Sequence, residues 1–228
     1  LRRELKQVLE DVPDSNLRAL VLTGAENAGA FVAGADVNEL RERNALEQRE
    51  ASKRPRVYEC VDDCPMPVIA RINGHALGGG CELIQACDLR IAHEDAKIGQ
   101  PEINLGIMPG GGGTQRLPRL VGEGHAMRLI LTGELIDAEE AADIGLVDEV
   151  YGDDGFDDRV YDLAAAIAEK SPVALEFAKK SVKAASRMDL ETGIEYEAEL
   201  FAQLFATGDK NEGIDAFFED RDPEWPSG

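Results

Sequence analysis

The chain has 228 residues, enough for one domain with an appendage or for two small domains. Apolar residues make up 43%, which excludes a disordered chain, and no apolar run is long enough to span a bilayer as a helix. Asp and Glu number 45 against 24 Lys and Arg, and the net charge of -21 is dispersed along the length, which argues against nucleic acid and anionic membranes as partners.

Residues 1–11 read as the end of an amphipathic helix. The apolar run 18–24, stopped by Gly24, predicts a buried strand. A turn follows from Gly24 to Gly34, and Asp36 is a suitable N-cap for a polar helix reaching about Asp62. Residues 67–73 predict the next buried strand. Gly74 to Gly80 reads as a turn opening a short helix that carries Glu82. Residues 88–92 predict a third strand, and 97–99 a brief extended piece leading to Glu102. Short helices are predicted over 114–121, 124–131 and 137–143, with glycine stops at Gly122, Gly133 and Gly145. Residues 146–151 predict a last strand. From Asp157 onward the pattern is helical, with Pro172 in a favoured first-turn position and an apolar stripe of Ile194, Leu200, Phe201, Leu204 and Phe205 that suits packing or subunit contact. Strands alternating with helices, then helices alone, imply an α/β core with a helical C-terminal appendage.

Two segments carry the chemistry. In Ala76-Leu77-Gly78-Gly79-Gly80-Cys81-Glu82 the glycines bare backbone N–H groups at a helix start, where positive potential collects. In Gly99-Gln100-Pro101-Glu102 a second glutamate precedes the glycine-rich run 110–113. Either glutamate alone reads as a solvated acid; together, beside exposed amides, they are the parts for holding an oxyanion and moving protons next to it. The spacing does not fit a dinucleotide fingerprint, no lysine follows the glycines as in a P-loop, and no G-x-S-x-G stands behind a serine nucleophile. Cys60, Cys64, Cys81 and Cys87 form no zinc pattern with the three histidines and read as buried, reduced thiols.

The segments Ala30 to Asp36, Asn73 to Leu83, Cys87-Asp88, Gly99 to Gly106 and Pro109 to Leu117, continued by 131–134, 145–148 and 216–221, resemble the crotonase family and within it the enoyl-CoA hydratases. The resemblance covers essentially the whole chain in the family's order and spacing. It implies an α/β fold, a spiral of strand–strand–helix units over 1–166, and a helical region over 167–228 that forms trimers or hexamers. It also implies that the family's first strands would lie upstream of Leu1.

Carried over by residue, the resemblance implies an oxyanion hole from the N–H groups of Ala35 and Gly79, catalytic roles for Glu82 and Glu102, and a Gly110 N–H that helps hold the attacking water. Ala33, Asp36, Val37 and Asn38, with Ala35 and Gly79, would line the path of coenzyme A, which arrives as part of an acyl-CoA thioester substrate; no metal or other cofactor is implied. Asn38 and Asp220 stand where the family often has lysine, which removes positive charge that could meet the coenzyme's phosphates, with Arg221 a candidate to compensate. The reaction implied is addition of water to a 2-enoyl-CoA. The rivals are isomerase, hydrolase or decarboxylase chemistry on the same scaffold, and a non-catalytic binding homologue; both glutamates being present favours hydration. The charged first residues offer no signal-peptide apolar stretch, and the dispersed acid suits a salt-rich cytoplasm, so a halophilic, cytoplasmic enzyme is expected.

Overall fold

A computed structural model describes residues 2–12, 16–26 and 28–227. Residue 1 of the expected first helix lies outside them, as does residue 27 of the turn that follows the first strand. The chain runs α1 (Arg2–Asp11), β1 (Leu20–Thr23), β2 (Ala30–Val32), α2 (Val37–Glu42), α3 (Ala45–Ala51), α4 (Val57–Asp62), β3 (Val68–Ile72), β4 (His75–Leu77) and α5 (Gly79–Ala86). It continues with β5 (Leu89–His93), β6 (Lys97–Gly99), a 3-10 turn (Pro101–Leu105), α6 (Gly113–Thr132), β7 (Leu135–Asp137), α7 (Ala138–Asp143) and β8 (Glu149–Tyr151). Four helices close it: α8 (Phe156–Ala168), α9 (Pro172–Ala184), α10 (Leu190–Leu204) and α11 (Gly208–Glu219).

Among the described residues the strands form two four-stranded sheets, ordered β1-β3-β5-β8 and β2-β4-β6-β7. From β1 to β6 successive strands go to alternate sheets, so each turn of the chain lays one strand on each and then a helix or 3-10 turn; β7 then returns to the sheet of β6 and β8 to the first. All pairings are parallel except β6 with β7. β3 is apolar almost throughout because both its faces are covered, as a parallel strand requires. Val68, Ala70 and Ile72 face the main core between the sheets and helices, and Ile69 joins Ile91, Phe156 and Val160 in a smaller core under α8.

The structure corrects the expected elements in two places. The helix expected from Asp36 to Asp62 is three short ones. Asp36 does cap α2, its Oδ1 accepting from the Asn38 amide at 2.9 Å. Asn44 then starts α3 through a reciprocal box with Glu47, because a short amide side chain competes for backbone donors that a continuing helix would use. Between α3 and α4 the chain passes through Pro55, which has no N–H to continue a helix. Second, both expected turns, 24–34 and 74–80, contain a three-residue strand, β2 and β4, and β7 was also not foreseen. The break at Gly122 is where expected: it has φ 79° inside α6, so two helices meet there.

The C-terminal helices are tied to the core by ions. Lys183 of α9 reaches Asp62 Oδ1 at 2.5 Å and Asp88 Oδ1 at 3.0 Å, and Lys179 reaches Asp88 Oδ2 at 2.6 Å. Behind them, buried Asp209 accepts from Ser171 Oγ at 2.6 Å and from the Ser227 amide at 3.0 Å.

Candidate active site

Gly78 adopts φ 53°, a backbone open to glycine, and turns the chain from β4 into α5. Two residues on, Gly80 lies against β2 so closely that any Cβ would collide with the Val32 carbonyl. This pulls the start of α5 onto the segment that runs from Val32 to Asp36. A Cβ built on Gly79 would stand 3.9 Å from the Ala35 amide nitrogen and 3.0 Å from the Tyr58 hydroxyl. Ala35 and Gly79, 44 positions apart in the numbering, are thereby neighbours. Neither amide donates to an acceptor among the described residues.

Glu82 lies in the first turn of α5 and is 3% exposed. Its Oε1 accepts from the Gly111 amide at 2.5 Å and the Gly113 amide at 2.9 Å. Burial pushes its carboxyl up, and the two amides, Arg56 and Arg116 pull it down without reversing the direction. Gly111 has to be glycine: a Cβ there would run into the Glu82 carboxylate and the Tyr58 ring.

Glu102 comes from the 3-10 turn, which Pro101 starts and Gly106, with φ 71°, ends. Its carboxyl packs against Gly78, where a Cβ would meet Oε1 at 3.1 Å. Gln100, fully buried, supports it. With its amide oriented so that oxygen faces donor and nitrogen faces acceptor, its NH2 lies 3.0 Å from each Glu102 oxygen and its carbonyl accepts from Gln85 Nε2 at 2.9 Å. Burial pushes Glu102 up to about 7; its own amide opposes the shift and the negative charge of Glu82 adds to it. The Gln100 NH2 also works against that shift, since it favours the carboxylate.

The sequence-derived glutamates are therefore brought to one place, beside Ala35 and Gly79. Gly110 is exposed, and its carbonyl accepts from Arg56 Nη1, while the amides on Glu82 belong to Gly111 and Gly113. Ala33, Asp36, Val37 and Asn38 follow Val32 as an exposed strip running into α2. Arg221 does not stand free: its guanidinium forks onto Glu212 and also meets Glu219, both at 2.6 Å. Sequence reasoning missed Gln100, Tyr58, Arg56 and Arg116. Of these, Gln100 carries a signal, an amide two positions before a glutamate it can serve. The other three are visible only once α4 and α6 are folded against α5.

These features define an α/β enzyme in which two carboxylates and two unengaged amides converge at the start of a helix. The family model for enoyl-CoA hydratase/isomerase matches residues 1–228. The chain is 41% identical to the short-chain-enoyl-CoA hydratase of Clostridium acetobutylicum, over 96% of this chain and 84% of that one. It is 42% identical to the crotonyl-CoA hydratase of Syntrophomonas wolfei, with the same coverage. An enoyl-CoA hydratase structure from Bacillus anthracis superposes with a TM-score of 0.93 at 42% identity, covering 99% of this chain and 88% of that one. The chain belongs to the enoyl-CoA hydratase/isomerase family, and its fold is the crotonase fold of that family.

Proposed function

We propose that this protein is an enoyl-CoA hydratase that adds water across the C2=C3 bond of 2-enoyl-CoA thioesters, with Glu82 and Glu102 as its proton-transfer pair. The observation that carries this reading is the meeting of those two side chains beside the adjoining Ala35 and Gly79 amides. When water attacks C3, the π electrons move toward the thioester and charge develops on its oxygen. Two N–H donors aimed there stabilise it; removing one donor from a comparable site costs about 3–4 kcal/mol.

Glu82, held by two amides and flanked by Arg56 and Arg116, is suited to the ionised role and takes the proton of the attacking water. Glu102, with its raised pKa, is suited to hold a proton at neutral pH and gives it to C2. The O–C3 bond and the C2–H bond form as the double bond is lost, and a proton must then pass from Glu82 to Glu102 to reset the site. Gly110 beside the attacking water, and Ala33, Asp36, Val37 and Asn38 along the coenzyme, complete the assignment; no metal or further cofactor is required. With Arg221 committed to Glu212 and Glu219, contact with the coenzyme's phosphates falls to other groups.

The same reading makes 1–166 the catalytic spiral and 167–228 the region of self-association into trimers or hexamers. The exposed apolar side chains Ile194, Phe201, Phe205, Phe217 and Phe218 support it. The acidic surface suits a salt-rich cytoplasm. The test is loss of the enoyl-thioester absorbance of crotonyl-CoA, followed at high and low salt. If neither short nor long 2-enoyl-CoA is consumed at any salt concentration, the assignment fails.

A further inference from the structure

We propose that Arg56 is a positioning residue for the hydration reaction, acting on Glu82 through the peptide unit between Gly110 and Gly111. This rests on the hydratase reading above and adds a residue that the motifs do not contain.

The geometry is a relay across a single peptide group. Arg56 Nη1 donates to the Gly110 carbonyl, and the Gly111 N–H of that same peptide donates to Glu82 Oε1 at 2.5 Å. The unit is trans, so its C=O and N–H point in opposite directions and one pin orients both. A cation on the carbonyl side polarises the group and strengthens the donor on the other side. Arg56 is itself held in place. Its Nη2 donates to Glu59 Oε1 at 2.7 Å, its Nε to Oε2 at 3.1 Å, and its backbone amide to Oε2 at 2.8 Å. Glu59 is only 4% exposed, so the fork has little freedom. Arg116 does similar work one residue on, donating to the Gly111 carbonyl at 3.2 Å from α6.

A glycine run needs this. Gly110 to Gly113 has no side chains to fix its backbone, yet two of its amides must keep one orientation toward a buried carboxylate. Glycine's freedom is a cost here, and two arginines offset it from the carbonyl side. Among the described residues, the charged and titratable groups around Glu82 are Arg56 at the N-cap of α4 and Tyr58 within it, with Glu59 behind Arg56; Cys81 beside it on α5; Arg116 from α6; and Glu102 from the 3-10 turn. Arg2 of α1 acts on Tyr58. Among these, Arg56 and Arg116 favour the ionised form of Glu82, while Glu102 opposes it when ionised. Loss of Arg56 therefore makes Glu82 harder to ionise, and the acidic limb of the pH profile moves to higher pH.

The experiment compares three variants with the wild type in hydration of crotonyl-CoA across pH: Arg56→Lys, Arg56→Gln, and Arg56→Gln combined with Glu59→Gln. The paired variant leaves no orphaned carboxylate and guards against failure to fold. For Arg56→Gln, kcat should fall about 10- to 100-fold, the range for losing a charge-assisted hydrogen bond, with KM within about threefold. Its acidic limb in kcat/KM should move up. The paired variant should also have low kcat, because the pin on Gly110 is gone. Arg56→Lys keeps the charge and should hold the limb in place with an intermediate kcat. A purely structural role would lower the melting temperature and leave kcat and the limb of the folded protein unchanged. A folded paired variant with wild-type kcat and wild-type limb overturns the proposal. An inert wild type would instead overturn the hydratase reading, so the two failures are distinguishable.

Discussion

Replacing Glu102 by Gln removes a proton donor while keeping almost the same shape. General acid–base catalysis contributes roughly 10²- to 10⁴-fold, or about 2.7–5.4 kcal/mol of barrier, and kcat should fall within that range. Binding should survive, because the Ala35 and Gly79 amides and the Glu82 anchors from Gly111 and Gly113 are untouched. The local rearrangement is small: the new amide nitrogen would face the Gln100 NH2, and the Gln100 and Gln85 amides can rotate to restore donor–acceptor order. The assay is single-turnover loss of crotonyl-CoA absorbance together with its binding isotherm. Because burial raises Glu102 from 4.5 to about 7, the wild-type rate should decline as pH rises through about 7, and the variant's residual rate should lack that limb. Stability follows the same group with a definite sign. The folded carboxyl keeps its proton after the unfolded one has lost it, so its contribution is full below about 4.5 and is lost as pH rises toward about 7. The melting temperature of Glu102→Gln should therefore gain on wild type between pH 5 and pH 8, buffers on the order of those limits sufficing. Residual hydration above about a tenth of wild type, or an unchanged alkaline limb in the variant, refutes the proton-donor role.

Other outcomes follow from contacts elsewhere. Gly111→Ala drives a Cβ into the Glu82 carboxylate and the Tyr58 ring; it should cost about 1–3 kcal/mol in denaturant titration and cut kcat more than it changes KM. Lys183→Met strips Asp62 and Asp88 of a shared cation and should cost about 1–3 kcal/mol, read by thermal melts. Burial pushes the Asp62 carboxyl up, but the Lys183 hydrogen bond and nearby cations hold it below 3.8, so that stability is present above 3.8 and lost as pH falls further. Acid titration of the Lys183 variant should show a shallower loss in that range. Asp209→Ala removes the acceptor for Ser171 and Ser227 and should lower the melting temperature by an amount equivalent to about 1–3 kcal/mol without changing kcat.

β3 and β5 at the centre of the first sheet were legible because each buries a run of apolar residues longer than a turn can hold. Residues 67–73 could be little else, and β3 occupies Val68–Ile72 within them. Of the second sheet only β6 was readable, as the extended piece at 97–99. β2, β4 and β7 have three residues each, too short for a period, and their pairings join segments whose relation depends on how the chain coils. The cap at Asp36 was readable because capping is local, yet a cap marks where a helix starts and says nothing of where it stops. At the site, the glutamates and the glycines beside them were readable from motif order. That Gly111 and Gly113 hold Glu82 had no signal of its own, since any glycine in a run of four offers the same N–H. Arg56 and Tyr58 had no signal, because α4 touches α5 only through the tertiary fold.

The two-sheet coil has a bearing on how the molecule is made. β1 pairs with a strand 48 positions later, Leu20 with Val68, and the sheet is complete only when Ile91 meets Glu149. Hardly any of its ladder can form from neighbouring residues, and folds of that kind form slowly. As the polypeptide leaves the ribosome, the strands made first wait with bare edges for those made last. Those waiting edges are the part of the young chain most open to pairing with the wrong partner.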